Sequence, residues 1–176
     1  RIITGKYKGR HFEVPRSFKA RPTTDFAKEN LFNVIRAYLD FEETRALDLF
    51  AGTGSITLEL LSRGCPKVVS IEKDRQHASF ISSVLKALHD DAATLIAPSL
   101  RYAARSDEGF DFVFADPPYQ LPELPELPRL VLESEVLRPG GLFVLEHGKN
   151  YDFSDRAEFL EHRSYGSVNF SFFRHN

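Results

Sequence analysis

The chain is expected to fold as an α/β domain around a mostly parallel sheet that closes in an antiparallel hairpin. Three observations carry that expectation. From residue 46 onward, short apolar runs alternate with segments of helical periodicity, which calls for parallel strands joined by right-handed crossovers. Two of those runs end in turn-forming elements, Gly52-Thr53-Gly54 and Pro117-Pro118, at the strand edge where open α/β sheets bind ligands. The last two apolar runs, 159–165 and 168–174, have no helix between them, and Gly166-Ser167 turns them into a hairpin on the sheet edge.

The elements follow in order. Residues 1–4 and 11–14 flank Gly5-Lys-Tyr-Lys-Gly9 and read as an amino-terminal β-hairpin, with 15–22 as a loop. Thr23-Thr24-Asp25 offers helix caps, and Ala27, Leu31, Val34, Ile35 and Tyr38 recur at helical spacing. Strands are expected at 46–50, 67–71, 93–97, 110–115 and 142–146, and helices at 55–63, 75–89 and 129–137. With the closing hairpin this makes seven strands. The 176 residues suffice for one domain with a sizeable core and are too few for two ordinary ones. We therefore expect a single domain over 1–176, with 1–22 as a basic arm and 23–176 as a helix plus the α/β core.

Composition narrows the class. Hydrophobic content of 42% and charge of 27% describe a globular chain. No apolar run approaches membrane-spanning length and no leader pattern opens the chain, so a cytoplasmic protein without a membrane partner is expected. Methionine and tryptophan are absent. The one cysteine, Cys65, has no partner for an internal disulfide, and none of the six His stands at metal-ligand spacing from it, so no metal site is expected. Residues 1–36 hold nine basic residues against three acids, a balance of +6. That leaves −8 for the remainder of a chain of net charge −2. A basic arm on an acidic body suits a polyanion. Its alternative is a solvated hairpin whose lysines protect a strand edge.

Three motifs carry chemistry. In Leu47-Asp-Leu-Phe-Ala-Gly-Thr-Gly54 a strand runs into a tight turn, where glycines let a ligand approach the backbone. The spacing is Gly-x-Gly-x-x-Thr, so the third glycine of the dinucleotide fingerprint is missing. Asp48 would repel a pyrophosphate there and attract an ammonium or sulfonium. A strand ending in Glu72, about 20 residues on, is the arrangement for ribose hydroxyls, with a solvated strand-end charge as the alternative. Asp116-Pro-Pro-Tyr119 then joins an acceptor carboxylate, carbonyls freed from the ladder and a ring for stacking. Its alternative is a rigid turn with a buried tyrosine. Together the motifs describe a pocket for an adenosine cofactor with an amino-acid tail beside a slot for a planar amine, as in S-adenosylmethionine-dependent amino-methyl transfer.

A seven-stranded sheet with one reversed strand resembles the class I methyltransferase (Rossmann-like) fold. The order of Arg1-Ile-Ile-x-Gly-x-Tyr-Lys-Gly-Arg10, Arg21-Pro-Thr-Thr-Asp25, Leu31-Phe-Asn33, Leu47–Gly54, Glu72-Lys-Asp74 and Asp116-Pro-Pro-Tyr119 resembles the RsmD family of bacterial small-subunit (16S) rRNA guanine-N2 methyltransferases. The resemblance covers essentially the whole chain. It implies S-adenosyl-L-methionine as cofactor, with Asp48 on the methionine ammonium, Ala51, Gly52, Thr53 and Gly54 passing beneath that tail, and Phe50 also binding the cofactor. Glu72 would take the ribose, Lys73 would flank the adenine, and Asp116 would close the cofactor pocket. After the third strand the family usually has a Gly-Asp pair. This chain has Ile96-Ala-Pro-Ser-Leu100, so Ser99, Leu100 or backbone groups would serve the adenine. Asp116 and the Pro117 carbonyl would accept the target N–H groups, with Tyr119 stacked on the base. Lys6, Lys8, Arg10 and Arg21 would meet the RNA. The implied partner is 16S rRNA within a small-subunit assembly particle, and the protein a monomer. The alternatives are the same chemistry on DNA adenine or cytosine or on protein glutamine, and a non-catalytic ribosome-assembly factor that keeps the fold.

Overall fold

The computed structural model describes residues 1–18, 23–96 and 109–176. The chain forms two compact units, Arg1–Ser99 and Leu100–Asn176. The first holds α1 (Asp25–Ile35), β1 (Arg45–Asp48), α2 (Ser55–Ser62), β2 (Lys67–Ile71), α3 (Arg75–Leu88) and β3 (Ala93–Ile96). The second holds β4 (Phe110–Ala115), α4 (Leu127–Leu132), β5 (Leu137–His147), β6 (Phe159–Tyr165) and β7 (Val168–Arg174). The fold is a seven-stranded mixed sheet, with order β3-β2-β1 in the first unit and β4-β5-β7-β6 in the second. No helix among the described residues is long and apolar enough to cross a membrane.

In the first unit local chemistry sets each helix. Thr24 caps α1 by accepting the Ala27 N–H at 3.2 Å, and Asp74 caps α3 by accepting from Gln76 and His77. Along α3, Ala78, Ile81, Val84 and Leu88 are buried at three- and four-residue spacing. Val84 and Leu88 pack with Leu58 of α2 and with Ile2 of the arm. The strands pair in parallel, Leu47 beside Val69 and Val69 beside Thr94. β1 stops at Asp48 rather than at residue 50, so this carboxylate is the strand's last residue.

The expected amino-terminal β-hairpin does not form. Residues 1–18 contain no strand. Two hydrogen bonds do close the loop, from Ile2 N–H to the Arg10 carbonyl and from Gly9 N–H to the Ile2 carbonyl. The remaining donors go elsewhere. Ile3 and Thr4 donate to the two carboxylate oxygens of Glu59 at 2.8 and 3.1 Å, while Lys6 and Tyr7 donate to the carbonyl and hydroxyl of Ser62. A buried helical carboxylate has replaced the second strand as the acceptor. Gly5 makes this approach possible, because its φ is +97° and a Cβ there would lie 2.0 Å from the Ser62 carbonyl oxygen.

The second unit is built on phenylalanine. Phe110, Phe112, Phe114, Phe143, Phe170, Phe172 and Phe173 are all fully buried, and Phe143 stacks on Phe173 across the β5–β7 ladder with centroids 5.5 Å apart. β4 is buried on both faces, as a parallel interior strand must be. β7 runs antiparallel to both β5 and β6, and the β6–β7 turn uses Gly166 at φ +65°, as expected. The expected helix 129–137 is shorter and begins earlier. A 3-10 turn, Leu124–Glu126, leads into α4, whose first turn accommodates Pro128. β5 in turn begins at Leu137 because Phe110 pairs there, donating its N–H to Val136. Pro139-Gly-Gly141 lies inside β5 as a bulge, across which the register jumps from Phe110–Leu137 to Phe112–Leu142.

Glu59 makes the arm part of the first unit's core. Its carboxylate is fully buried, 2.9 Å from Arg63 and 3.8 Å from the buried Lys28 ammonium, which also donates to the Arg1 carbonyl. Glu59→Ala would strand a buried cation and two backbone donors. We expect a loss of about 3–5 kcal/mol, read as a lowered urea midpoint. A midpoint unchanged from wild type would mean that the arm docks without this carboxylate.

Candidate active site

In the first unit Asp48 ends β1 with 1% of its surface exposed. Its Oδ2 accepts a hydrogen bond from the Thr57 hydroxyl at 2.8 Å, and Thr57 in turn shares a 2.6 Å bond with buried Ser70. The other oxygen, Oδ1, is buried with no hydrogen-bond partner. Burial pushes the carboxyl up to about 7, against the Thr57 hydrogen bond that favours the anion, and the Glu72 charge adds to the rise. A sealed, half-satisfied carboxylate suits a cation that supplies N–H donors.

The turn after β1 carries the remaining residues expected to bind cofactor. Phe50 is half-buried and Ala51 buried, the latter donating to the Ile71 carbonyl at 3.0 Å. Thr53 is buried. Gly54 precedes α2 at φ +83°, where a Cβ would lie 3.1 Å from Ile81 of α3. Glu72, at the end of β2, accepts from the Gly52 N–H with Oε1 and from the Asp74 N–H with Oε2, both at 2.8 Å. Each oxygen keeps a second lone pair. Glu72 is therefore a fixed acceptor tied to the glycine turn, not a solvated strand-end charge. Lys73 beside it is exposed. This unit thus offers an acceptor pair for hydroxyls and an unsatisfied buried anion for an ammonium, both of which S-adenosylmethionine carries. The residues present fit that group.

In the second unit Ala115 of β4 lies in register with Leu145 of β5. The next residues, Asp116 just past β4 and Glu146 within β5, therefore lie at the same level. Glu146 is 7% exposed, and its Oε2 accepts from the Tyr119 hydroxyl at 3.2 Å. Burial raises the Glu146 carboxyl, while hydrogen bonds from Asp116 and Tyr119 oppose the rise. Burial and the neighbouring Glu146 and Asp116 charges push the Tyr119 phenol well above its ordinary value, so the ring keeps its proton. The Tyr119 ring lies against Gly148, where an added Cβ would meet it at 3.6 Å, and is 40% exposed. Pro117 is buried, and the Pro118 carbonyl closes a turn by accepting from Leu121. Asp-Pro-Pro-Tyr is thus a rigid turn, but its tyrosine presents a face instead of burying it.

The structure brings Asp48, the glycine turn and Glu72 together in one unit, and Asp116, Pro117 and Tyr119 together in the other. Ser99, Leu100 and Arg21 lie outside the described residues. Lys6, Lys8 and Arg10 are exposed on the arm, with Lys6 paired to Asp90 at 3.0 Å and Arg10 over the Phe12 ring. Two residues escaped the sequence reading. Thr57 registered only as a missing third glycine, although a hydroxyl nine residues after Asp48 is what that carboxylate needs. Glu146 ends the apolar run 142–145 just as Asp116 ends its own, and that parallel was the available signal.

The Conserved hypothetical protein 95 family matches residues 1–174. Ribosomal RNA small subunit methyltransferase D of Haemophilus influenzae is 34% identical over 155 residues, covering 85% of this chain and 79% of its own. A solved hypothetical protein of Thermus thermophilus is 30% identical with a TM-score of 0.84 over 98% of both chains. The T. thermophilus 16S rRNA N2 G1207 methyltransferase RsmC, solved with AdoMet and guanosine, superposes with a TM-score of 0.72 at 21% identity. That match covers 90% of this chain and 45% of that one and speaks to the fold alone. The fold is that of the class I methyltransferases, and the chain belongs to the Conserved hypothetical protein 95 family, the RsmD family.

Proposed function

We propose that this protein transfers a methyl group from S-adenosylmethionine to the exocyclic N2 of a guanine in 16S ribosomal RNA. The observation that carries the reading is Asp116-Pro-Pro-Tyr119 at the end of β4, in a chain matched to the family from residue 1 to 174. We place the substrate within a small-subunit assembly particle and the enzyme in the cytoplasm, acting as a monomer.

The target nitrogen is conjugated with its ring, so its lone pair is a weak nucleophile. In the proposed mechanism Asp116 accepts one N–H and the Pro117 carbonyl the other, which localises that pair for attack. Bound S-adenosylmethionine would supply an electrophilic sulfonium methyl and leave as the neutral thioether, and the methylated amine would release one proton. Asp48 Oδ1 would hold the cofactor's ammonium, Glu72 its ribose hydroxyls, and Ala51–Gly54 its amino-acid tail, with Phe50 also against the cofactor. Lys73 would flank the adenine, and Ser99, Leu100 or backbone groups would serve its amine. Tyr119 stacks on the base, worth roughly 1–3 kcal/mol, which offsets the few kcal/mol that extruding a stacked base costs. An unpaired guanine is the easier target. Lys6, Lys8, Arg10 and Arg21 engage RNA phosphates.

Mass mapping of 16S rRNA incubated with the protein and cofactor tests the reading directly. Asp116→Ala should abolish transfer while leaving cofactor affinity within a few-fold by calorimetry. Tyr119→Ala should lose most activity. Tyr119→Phe should keep much of it, because it loses only the bond to Glu146, about 1 kcal/mol. Equal loss in both tyrosine variants would put the hydroxyl, not the ring face, in charge.

Asp48 sets a pH dependence. Its folded value of about 7 means the neutral form dominates below that pH, and a bound ammonium must first expel the proton. Cofactor affinity should therefore rise from pH 5.5 to 7, by up to about tenfold per unit. Asp48→Asn should bind weakly and without that slope. An equally steep slope in the Asn variant would sink the assignment.

For the arm, each phosphate contact should contribute about 0.7–0.9 to the log–log salt slope of RNA binding. Neutralising Lys6, Lys8 and Arg10 together should flatten the slope by roughly two to three units and leave cofactor binding intact. Lys6 should matter least of the three, because Asp90 already holds its ammonium. An unchanged slope in the triple variant would show that RNA docks on another face.

A further inference from the structure

Glu146 is a buried acid that the reaction as described above leaves without a task. Its Oε2 is tied to the Tyr119 hydroxyl, and its Oε1 is sealed from solvent with no hydrogen-bond partner. The strand register sets it level with Asp116, since Ala115 and Leu145 are partners and each acid is the next residue along its strand. On the other side β7 places apolar Phe170 opposite Glu146. The neighbouring His147 is engaged elsewhere, with the Gly148 carbonyl and the Ser171 hydroxyl, each at 2.7 Å. Among the described residues, the titratable groups acting on Glu146 are thus Asp116 and Tyr119, neither of them a cation. Two adjacent carboxyls in so dry a place cannot both ionise cheaply, and one proton between them removes the repulsion and satisfies the sealed oxygen.

We infer that Glu146 is a positioning residue for the amine acceptor: its carboxyl and that of Asp116 share one proton, and this bond, together with the Tyr119 bond, fixes carboxylate and stacking ring relative to each other. This rests on Asp116 taking the target N–H, as proposed above. Burial pushes the Glu146 carboxyl upward, the direction a retained proton requires. The sign follows. Below the pair's upper pKa the shared proton is present and Asp116 is held; above it both carboxyls ionise, repel, and the geometry loosens. Transfer should then fall on the alkaline side for a reason unrelated to cofactor binding, which Asp48 makes stronger with pH.

The test is single-turnover methyl transfer to 16S rRNA at saturating cofactor between pH 6 and 8.5, for wild type, Glu146→Gln and Glu146→Ala. Wild type should show an alkaline decline. Glu146→Gln cannot ionise yet keeps a donor for Asp116 and an acceptor for Tyr119, so it should hold most of the rate and lose the decline. Glu146→Ala should drop at least tenfold at every pH, with cofactor affinity within twofold. A decline unchanged in Glu146→Gln, a flat wild-type profile, or full activity in Glu146→Ala would each overturn the inference. Carbon-13 NMR of labelled carboxyls reads the same pair without turnover: the raised titration should vanish in Glu146→Gln, and its persistence there would refute the shared proton. Absence of any wild-type transfer to rRNA, with the raised titration present, would instead count against the substrate assignment.

Discussion

A parallel strand buried on both faces has no place for a charge except at its end. That constraint organises this molecule. The runs Ala46-Leu47, Val68-Val69, Phe112–Ala115 and Leu142–Leu145 are apolar, and the acids Asp48, Glu72, Asp116 and Glu146 follow them at or near the carboxyl ends of β1, β2, β4 and β5. Each is thereby half-removed from water by the hydrophobic strand that delivers it. Desolvation raises the pKa of Asp48 and Glu146, and both leave one oxygen without a partner. A globular core would ordinarily remove such groups, since an unsatisfied buried polar atom costs about 1–3 kcal/mol. Their presence at the edge where α/β sheets bind ligands is the cost of a site prepared for donors that arrive with the ligand.

The arm obeys the opposite logic. Glu59 is as buried as Asp48 but fully satisfied, by two backbone N–H groups, Arg63 and the Lys28 ammonium nearby. Here the carboxylate works as structure. It gathers the backbone of residues 3 and 4 onto α2 and leaves the basic side chains Lys8 and Arg10 exposed. A β-hairpin would have had to find its own edge partner. Docking onto a helix removes that need and anchors a charged loop that would otherwise be held only by its tip.

Much of this was legible in the residues. The β4 run, the cap at Thr24, the α3 stripe and the closing hairpin all lay where periodicity and turn chemistry put them, because each is decided within one element. What failed was decided between elements. The two runs flanking Gly5–Gly9 read as a hairpin, yet the acceptors were on α2, about 55 residues away in sequence. Pro139-Gly-Gly141 fell between the expected helix 129–137 and strand 142–146, but pairing with Phe110 drew it into β5 as a bulge. Thr57 and Glu146 were passed over for the same reason: a hydroxyl or an acid gains much of its meaning from the carboxylate it faces.

The two orphaned carboxyls differ in a way that bears on chemistry. Asp48 has a neutral hydroxyl as its neighbour, so an incoming cation can complete it, and ionisation there strengthens binding. Glu146 has a second acid as its neighbour, and in the reading proposed above the pair is held by one proton already in the protein. Burial pushes both carboxyls the same way. In the reading proposed above, the first ionises to hold a charged ligand and the second keeps a proton to hold a neighbouring side chain still.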